Sequence, residues 1–279
     1  MSGDSLVERL GHAAGTKLLI VNCDDLGSSH AANVAIFRAI ANGAATSATL
    51  MVPCPWAREA ARMCQGMAIG VHLTLTAEYA GYRWRSLTGA ASLHDDEGVL
   101  PASGEAALER AAVEDVRAEC QAQIDQALAW GVDVTHIDAH MGVMQSRRAF
   151  LEVYLDLAAA YRLPVRMASP GALARQGFGG AELARDRAVL FNEHLIDPWP
   201  RRTRDVWTAQ LPRLPVGVSE AFAHPVLDGD ELRAYDPQNA DIRAHDAQWL
   251  LDPAARELIR ENGIRRISWR PVRDLVRAG

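Results

Sequence analysis

The sequence lacks closely spaced cysteines, an apolar run long enough to cross a membrane, and an excess of basic residues. The four cysteines are Cys23, Cys54, Cys64 and Cys120. Because they are widely spaced and mostly lie in apolar stretches, we expect reduced thiols rather than a disulfide framework. A membrane span needs about 20 predominantly apolar residues, and no uncharged apolar run in the chain approaches that length.

The charge balance and the N-terminus narrow the class of protein further. The chain has 35 acidic and 29 basic residues and a formal net charge of −6, which disfavours a nucleic-acid partner. Residues 1–15 carry charges and lack the apolar region of a secretory signal. We therefore expect a cytoplasmic protein that binds neither nucleic acid nor a membrane.

Short apolar runs alternate with helical patterns through most of the chain. Strands are predicted over residues 17–23, 45–53, 67–76, 133–139, 164–168, 188–195, 216–223 and 265–269. Helices are predicted over residues 30–42, 56–64, 105–130, 148–161 and 253–262, with irregular segments at 77–104 and 169–187. Apolar strands separated by helices predict a parallel sheet covered on both faces.

This alternation predicts an α/β fold in a single domain. Roughly seven or eight strand–helix units favour a closed or nearly closed (β/α) barrel, and an open, doubly wound sheet is the alternative. Residues 1–16 are predicted to form an N-terminal tail, and residues 17–279 form the domain.

Polar side chains gather where the predicted strands end. In chain order, they are Asp24, Asp25, His72, His136, Asp138, His140 and His224. The carboxyl ends of parallel strands meet at one edge, where barrels and open α/β sheets build their sites. We therefore expect these side chains to converge on one site.

Spacing limits the roles of the two histidines in the segment THIDAH. A strand advances about 3.3 Å per residue, so His136 and His140 are expected to lie about 13 Å apart. Both cannot bind one zinc-like ion at about 2 Å unless the chain turns sharply between them. His140, at the strand exit, is the better ligand. His136 and Asp138 are expected deeper in the barrel, where they could support the ligands by hydrogen bonding.

The adjacent aspartates are expected to have different roles, because neighbouring strand residues face opposite sides. Two carboxylates in distinct environments suit a pair of general base and metal ligand. A metal held by one carboxylate and two imidazoles keeps positions open for water and substrate. A purely structural role is the alternative for each of these residues taken alone. The aspartate pair alone also fits a helix cap, and His72 alone fits a hydrogen-bonded core histidine.

With these residues in place, the chain resembles the YdjC-like family, which includes chitooligosaccharide deacetylases. The segments LLIVNCDDLG, GAATSATLMVP, IGVHLTL, THIDAH and EAFAHP follow the family's order and approximate spacing. The resemblance covers nearly the whole chain from about residue 17. It implies a single-domain distorted (β/α) barrel related to polysaccharide deacetylases, with one divalent metal ion held by an aspartate and two histidines.

The resemblance also assigns roles to individual residues. Asp25, His72 and His140 match the metal ligands, Asp24 matches the base, His224 matches a candidate acid, and Arg166 resembles an arginine that orients the base or contacts substrate. Two imidazoles favour a Zn²⁺-like ion, although the family resemblance leaves Mg²⁺ open. The family's run of histidines after the fourth motif is absent from HIDAHMGVM, so its contacts with a chitobiose-like substrate are not carried over.

The sequence therefore predicts a metal-dependent hydrolase that removes an acetyl group from an N-acetylated sugar. Asp24 would take a proton from water, and His224 would protonate the departing amine. Trp56, Trp84 or Trp199 could stack on the sugar. Two alternatives remain open: hydrolysis of another amide, ester or phosphoester bond, and a non-catalytic sugar-binding module. A homodimer is expected by base rate only.

Overall fold

The computed structural model describes residues 5–279, and this part of the chain is built around a parallel sheet of seven strands. The strands are β1 (Lys17–Leu26), β2 (Ser47–Leu50), β3 (Ile69–Leu73), β4 (Val134–Ala139), β5 (His194–Ile196), β6 (Gly217–Ala223) and β7 (Ile264–Ile267). Their hydrogen-bonded order is β4-β3-β2-β1-β6-β5. The short strand β7 pairs with the amino-terminal half of β1, while β2 pairs with its carboxyl-terminal half.

Single bridges at Val165 connect the two ends of this sheet. Val165 pairs in parallel with Ile137 of β4 on one side and with Phe191, just before β5, on the other. The amide of Val165 donates to the carbonyl oxygen of Leu190 at 2.9 Å, and the amide of Arg166 donates to that of Ile137 at 3.1 Å. The sheet is therefore a distorted barrel, as predicted, and not the open doubly wound alternative.

Helices surround the barrel on its outside. They are α1 (Leu6–Arg9), α2 (His30–Asn42), α3 (Ala57–Met63), α4 (Gly104–Arg110), α5 (Val113–Ala129), α6 (Arg148–Tyr161), α7 (Pro170–Gln176), α8 (Gly180–Asp186), α9 (Thr203–Gln210), α10 (Asp230–Tyr235), α11 (Ala240–Leu251), α12 (Pro253–Glu261) and α13 (Trp269–Ala278). Short 3₁₀ turns occur at Ala91–Leu93, His140–Gln145 and Leu211–Arg213. Within residues 5–279, every helix is too short or too polar to cross a bilayer.

Alternation along β1 separates two apolar regions. Leu19 and Val21 belong to the main core, which packs the sheet against the helices. Leu18 and Ile20 belong to a second cluster with Trp269, at the amino-terminal end of the barrel. Successive strand side chains point to opposite faces, so the second cluster fills the barrel interior at this end. The interior at the other end is left to polar side chains.

The predicted helix over residues 105–130 is wrong as a single element, because α4 and α5 are separate helices. Ala111 and Ala112 have extended backbone angles between them. The amide of Ala112 donates to the hydroxyl of Ser92 at 3.1 Å instead of continuing the helical ladder. A contact with the preceding irregular segment therefore divides the helix.

Two further predictions between residues 164 and 187 are wrong. The strand over residues 164–168 is reduced to the bridges at Val165, and residues 169–187, predicted as irregular, form α7 and α8. Ser169 caps α7 by accepting from the amide of Ala172, and Gly177 ends the helix with a φ of 76°. These caps support α7. Both α7 and α8 have seven residues, which is too short to show a clear apolar period.

The N-terminal tail predicted over residues 1–16 lies partly outside the described residues. Within the described part, Ser5 and Glu8 form a reciprocal capping box that begins α1. Val7 is buried in the apolar cluster that contains Leu18 and Trp269. The domain boundary at residue 17 stays a prediction.

Gly70 of β3 is packed too tightly against β4 to accept a side chain. A Cβ atom there would lie 2.6 Å from the backbone carbonyl oxygen of His136 and 2.6 Å from its ring. We expect Gly70→Ala to lower the free energy of unfolding by about 1–3 kcal/mol, because the two strands would have to separate. Urea denaturation measures this change.

Gly15→Ala is the control for the Gly70 experiment, since a Cβ atom at Gly15 would meet nothing within 4 Å. This variant is expected to change the free energy of unfolding by less than about 0.5 kcal/mol. A Gly70→Ala protein as stable as the wild type would show that the strand contact is looser than the structure indicates.

Candidate metal and active site

The carboxyl ends of the strands open into a pocket of about 570 Å³. Among its lining residues are Asp24, Asp25, His72, His140, Arg166 and His224. These residues come from distant parts of the sequence, and the sequence predicted each of them for one site. The structure therefore brings them together around a single cavity.

Asp25, His72 and His140 direct three ligand atoms at one point. Oδ1 of Asp25 lies 3.5 Å from Nε2 of His72 and 3.4 Å from Nδ1 of His140. The two imidazole nitrogens are 3.2 Å apart. Ligands at about 2.0–2.1 Å from a tetrahedral ion lie about 3.3–3.4 Å from each other, so these separations fit one cation.

The oxygen of Asp25 that faces the histidines has no other partner. Oδ1 is buried and accepts no hydrogen bond from the described residues. Burial raises the pKa of Asp25, but the positive charges of Arg243 and His140 lower it well below the ordinary value. An ionised, unpartnered oxygen between two imidazoles fits a divalent metal ligand. These three residues could therefore hold a metal ion.

Each of the two histidines has a carboxylate on its other ring nitrogen. Nδ1 of His72 lies 2.5 Å from Oδ1 of Asp138, and Nε2 of His140 lies 3.1 Å from both oxygens of Glu78. Such partners fix the tautomer and orientation of metal-binding histidines. Burial lowers the pKa of His140, but Glu78 and Asp25 outweigh it and raise the pKa to about 10. At neutral pH the raised pKa keeps a proton on both ring nitrogens of His140. A cation bound at Nδ1 would displace the proton on that nitrogen.

The backbone at Asp25 has an unusual conformation. Its φ is 64°, in the left-handed region, and the pairing of β1 with β2 shifts register between Cys23 and Leu26. A non-glycine residue held there costs about 1–3 kcal/mol, which is typical of functional sites. Because of this irregularity, Asp24 and Asp25 line the same pocket. The expectation that they face opposite sides is wrong, although their partners differ.

Arg166 holds Asp24 through two parallel hydrogen bonds. Nη1 donates to Oδ2 and Nη2 donates to Oδ1, each at 2.7 Å. Oδ1 also accepts from Nδ2 of Asn22 at 2.9 Å. Since a carboxylate oxygen can accept two hydrogen bonds, Oδ2 keeps one lone pair that no described residue occupies. Oδ2 is therefore the atom of Asp24 that can accept a proton from the pocket.

The guanidinium of Arg166 is shared among three carboxylates. Besides Asp24, it donates to Oε1 of Glu220 from Nε at 3.0 Å and from Nη2 at 2.8 Å, and its Nη1 lies 3.0 Å from Oδ2 of Asp138. Burial raises the pKa of Glu220 to about 7, against the opposing charge of Arg166. One cation thus stabilises three buried carboxylates.

His224 lies in the pocket wall among aromatic rings. Its ring is 4.7 Å from that of Trp199 and 5.5 Å from that of Phe222, both at steep angles. Nδ1 is buried without a hydrogen-bond partner among the described residues. Burial lowers the pKa of His224, although Asp25 and Asp24 act in the opposite direction. The protonated fraction of this residue therefore falls as the pH rises through the acidic range.

The structure does not bring His136 to the pocket. Its Nδ1 lies 3.0 Å from the hydroxyl of Thr135, and its ring stacks on Trp269 at 4.9 Å. Burial lowers its pKa to about 3. In the described part of the chain, no hydrogen bond joins His136 to a predicted metal ligand. Asp138, predicted to act with it, does contact His72.

Several polar residues around the site were not predicted from the sequence. They are Glu78, Glu220, Arg243 and Thr49, whose hydroxyl donates to Oδ2 of Asp138 at 2.9 Å. Glu78 lies in the irregular segment after β3, and Arg243 lies on α11, a helix that the sequence pattern did not indicate. Glu220 could have been found, because a charged residue within the apolar strand at 216–223 needs a buried partner.

Comparisons with known proteins agree on one family. Residues 18–261 match the family model described as YdjC-like protein. A carbohydrate deacetylase of Thermus thermophilus is 36% identical over 281 aligned positions, which cover 97% of this chain and 99% of that protein. A carbohydrate deacetylase of Geobacillus stearothermophilus is 33% identical, covering 90% of this chain and 96% of that protein.

A solved structure gives the same result for the fold. The crystal structure of a proposed cellobiose-phosphate cleavage protein from Enterococcus faecalis V583 matches with a TM-score of 0.82 and 27% identity. The match covers 92% of this chain and 99% of that one. The likeness therefore extends over the whole barrel and is not confined to the pocket.

Asp138→Asn tests whether the carboxylate behind His72 supports metal binding. We expect the affinity for Zn²⁺ or Co²⁺ to fall about 10–100-fold, because His72 becomes less basic and loses its fixed tautomer. Competition with a chelating dye at constant pH measures the affinity.

Asp156→Asn is the matched control, since Asp156 pairs with Arg117 and Arg187 away from the pocket. Its metal affinity should equal that of the wild type. Unchanged affinity in a folded Asp138→Asn protein would remove Asp138 from the metal site.

Proposed function

The chain belongs to the YdjC-like protein family, and from this premise we propose that it is a metal-dependent hydrolase that removes an acetyl group from an N-acetylated sugar or oligosaccharide. The observation that carries the proposal is the convergence of Asp25, His72 and His140 on one point, beside the carboxylate of Asp24. The relatives named carbohydrate deacetylase support an acetylated sugar as the substrate.

Asp25, His72 and His140 would hold the divalent ion. When bound, such an ion polarises the acetyl carbonyl group and lowers the pKa of a coordinated water. Two imidazole ligands favour Zn²⁺ or Co²⁺ over Mg²⁺, which prefers oxygen ligands. The identity of the metal is thus a proposal from the donor set.

Asp24 would act as the general base. Asp24 lines the pocket and its Oδ2 keeps a lone pair that no described residue occupies, while Arg166 and Asn22 fix the carboxylate in place. A water molecule in the pocket loses a proton to this oxygen and attacks the acetyl carbon. Arg166 keeps the base in one orientation, which is the role that the family resemblance gave it.

His224 would act as the general acid. It protonates the amine nitrogen as the C–N bond breaks, which releases acetate and a free amino sugar. The buried Nδ1 has no competing hydrogen-bond partner among the described residues. Trp199, beside it, is the one of the three candidate tryptophans that lines this pocket, and it would contact the sugar.

A phosphorylated substrate fits the pocket less well than an acetylated one. The two arginines in the lining, Arg166 and Arg243, already pair with buried carboxylates, including Asp24 and Asp25. The pocket wall therefore offers a phosphate group no unpaired guanidinium. The paired charges of the lining therefore favour a neutral amide or ester over a phosphoester bond.

The assembly and the cellular location are proposals from the sequence. A homodimer rests on base rates alone. A reducing compartment such as the cytoplasm suits the cysteines, since Cys23, Cys54, Cys64 and Cys120 are all free and buried in the structure.

The central test is acetate release from N-acetylglucosamine oligomers by the metal-free protein with and without added Zn²⁺, Co²⁺ or Mg²⁺. We expect release that depends on the metal and is abolished by a chelator.

Asp24→Asn should bind metal like the wild type but lower kcat by about 100-fold or more, because the base is lost.

Asp241→Asn, at an exposed position on α11, is the control and should keep wild-type turnover. Sugar binding without acetate release would indicate the non-catalytic alternative. Activity only towards other amides or esters would indicate a different hydrolase. Near-normal turnover by Asp24→Asn would exclude Asp24 as the base.

His224→Ala tests the acid through the leaving group. We expect kcat/KM for an N-acetylated sugar to fall about 100-fold or more, because the amine must be protonated to leave. Hydrolysis of p-nitrophenyl acetate should fall by less than about tenfold, since its phenolate leaves without a proton. Because burial lowers the pKa of His224, the wild-type rate on the amide should decline as the pH rises, and the ester rate should not. Equal losses on both substrates would assign His224 another role.

A further inference from the structure

Arg243, on α11, connects four parts of the molecule around the pocket. Its Nη1 donates to Oδ2 of Asp25 at 2.8 Å and its Nε donates to Oδ2 of Asp236 at 2.7 Å. Its Nη2 donates to the hydroxyl of Tyr79 at 2.8 Å. The guanidinium carbon also lies 5.1 Å from the ring centre of Trp199. The residue is 4% exposed, so these contacts fix it in one position.

The hydrogen bond from Arg243 leaves Asp25 with one oxygen for another partner. Oδ2 accepts from Arg243, whereas Oδ1 accepts no hydrogen bond from residues 5–279 and faces His72 and His140. Binding an ion through both oxygens would require the carboxylate to turn Oδ2 toward the two histidines, and the hydrogen bond from Arg243 opposes that turn. Breaking this bond would leave a buried guanidinium short of an acceptor, which is strongly unfavourable.

We infer that Arg243 is a positioning residue that keeps Asp25 a one-oxygen ligand and so preserves a coordination position for water or substrate. The inference rests on the metal site of the proposed function. An ion held by two imidazoles and a single carboxylate oxygen has three protein ligands, the number that catalytic zinc sites use to keep a place for water. A second oxygen from Asp25 would occupy that place.

A direct role of Arg243 in binding an anionic substrate is less consistent with its contacts. Its Nε, Nη1 and Nη2 atoms each already donate to a buried acceptor. Two of these acceptors, Asp25 and Asp236, are carboxylates, so they neutralise its charge locally. The guanidinium therefore supports the site through Asp25 instead of offering an open anion site.

The test compares the full-length wild type with Arg243→Met and Arg243→Lys, each freed of metal and reloaded with Mn²⁺. Methionine removes the donors at similar length, and lysine keeps the charge but lacks the planar fork whose separate nitrogens reach the three acceptors. Water-proton relaxation reports the number of inner-sphere waters on each bound ion. We expect both variants to bind Mn²⁺ and to lose one inner-sphere water, because the released Oδ2 takes its position.

A kinetic readout separates positioning from substrate binding. In the acetate assay, both variants should lower kcat about tenfold or more while KM for the sugar changes less than about twofold. Arg233→Met is the matched control, because Arg233 is an exposed arginine of α10 that pairs with Asp228 and Asp241. It should keep the wild-type water number and the wild-type kcat.

The outcomes distinguish a failure of the role given to Arg243 from a failure of the proposed metal site. Folded variants that bind Mn²⁺ with the wild-type number of waters would overturn the inference and leave the metal site intact. A raised KM with an unchanged water number would assign Arg243 to the substrate and also overturn it. A wild-type protein that binds no divalent ion would overturn the metal site and, with it, this role of Arg243.

Discussion

Pairing of buried charge at the carboxyl end of the barrel is the constraint on which the rest of the site depends. An unpaired carboxylate there would be strongly destabilising, because its lost hydration is not replaced. Two buried arginines each neutralise one of the adjacent aspartates, since Arg166 pairs with Asp24 and Arg243 pairs with Asp25. The site therefore has two halves, one arranged around the carboxylate of Asp24 and the other around the carboxylate of Asp25. Neither half could be charged in this way without its own guanidinium.

The opposite end of the barrel makes this concentration of charge compatible with a stable fold. Leu18 and Ile20 fill the interior with Trp269 at the start of β1. Asn22 and Asp24 then continue the same face of the same strand toward the pocket. One strand of ten residues thus supplies apolar packing at one end and chemistry at the other.

The parts of the molecule that could be predicted from the sequence are those encoded locally. A run such as KLLIVNC is both apolar and followed at once by aspartates, so strand β1 and its site residues could be predicted together. Arg243 could not be predicted in this way, because it meets Asp25 across 218 residues of sequence and from a helix. The left-handed backbone of Asp25 and the short helices α7 and α8 were also missed. These features depend on tertiary contacts and caps, and the apolar pattern of the sequence does not indicate them.

The contacts of Arg243 bear on how the specificity of such an enzyme can change. Tyr79 and Trp199 belong to segments at the mouth of the pocket, yet both contact the arginine that holds Asp25. Substitutions that reshape the mouth at these two positions would therefore also disturb Asp25, the proposed metal ligand. Adaptation to new sugars is easier at mouth positions that do not contact this arginine, such as the exposed Met141. The contacts of Arg243 beneath the pocket thus limit how the substrate range can change, as much as the shape of the pocket does.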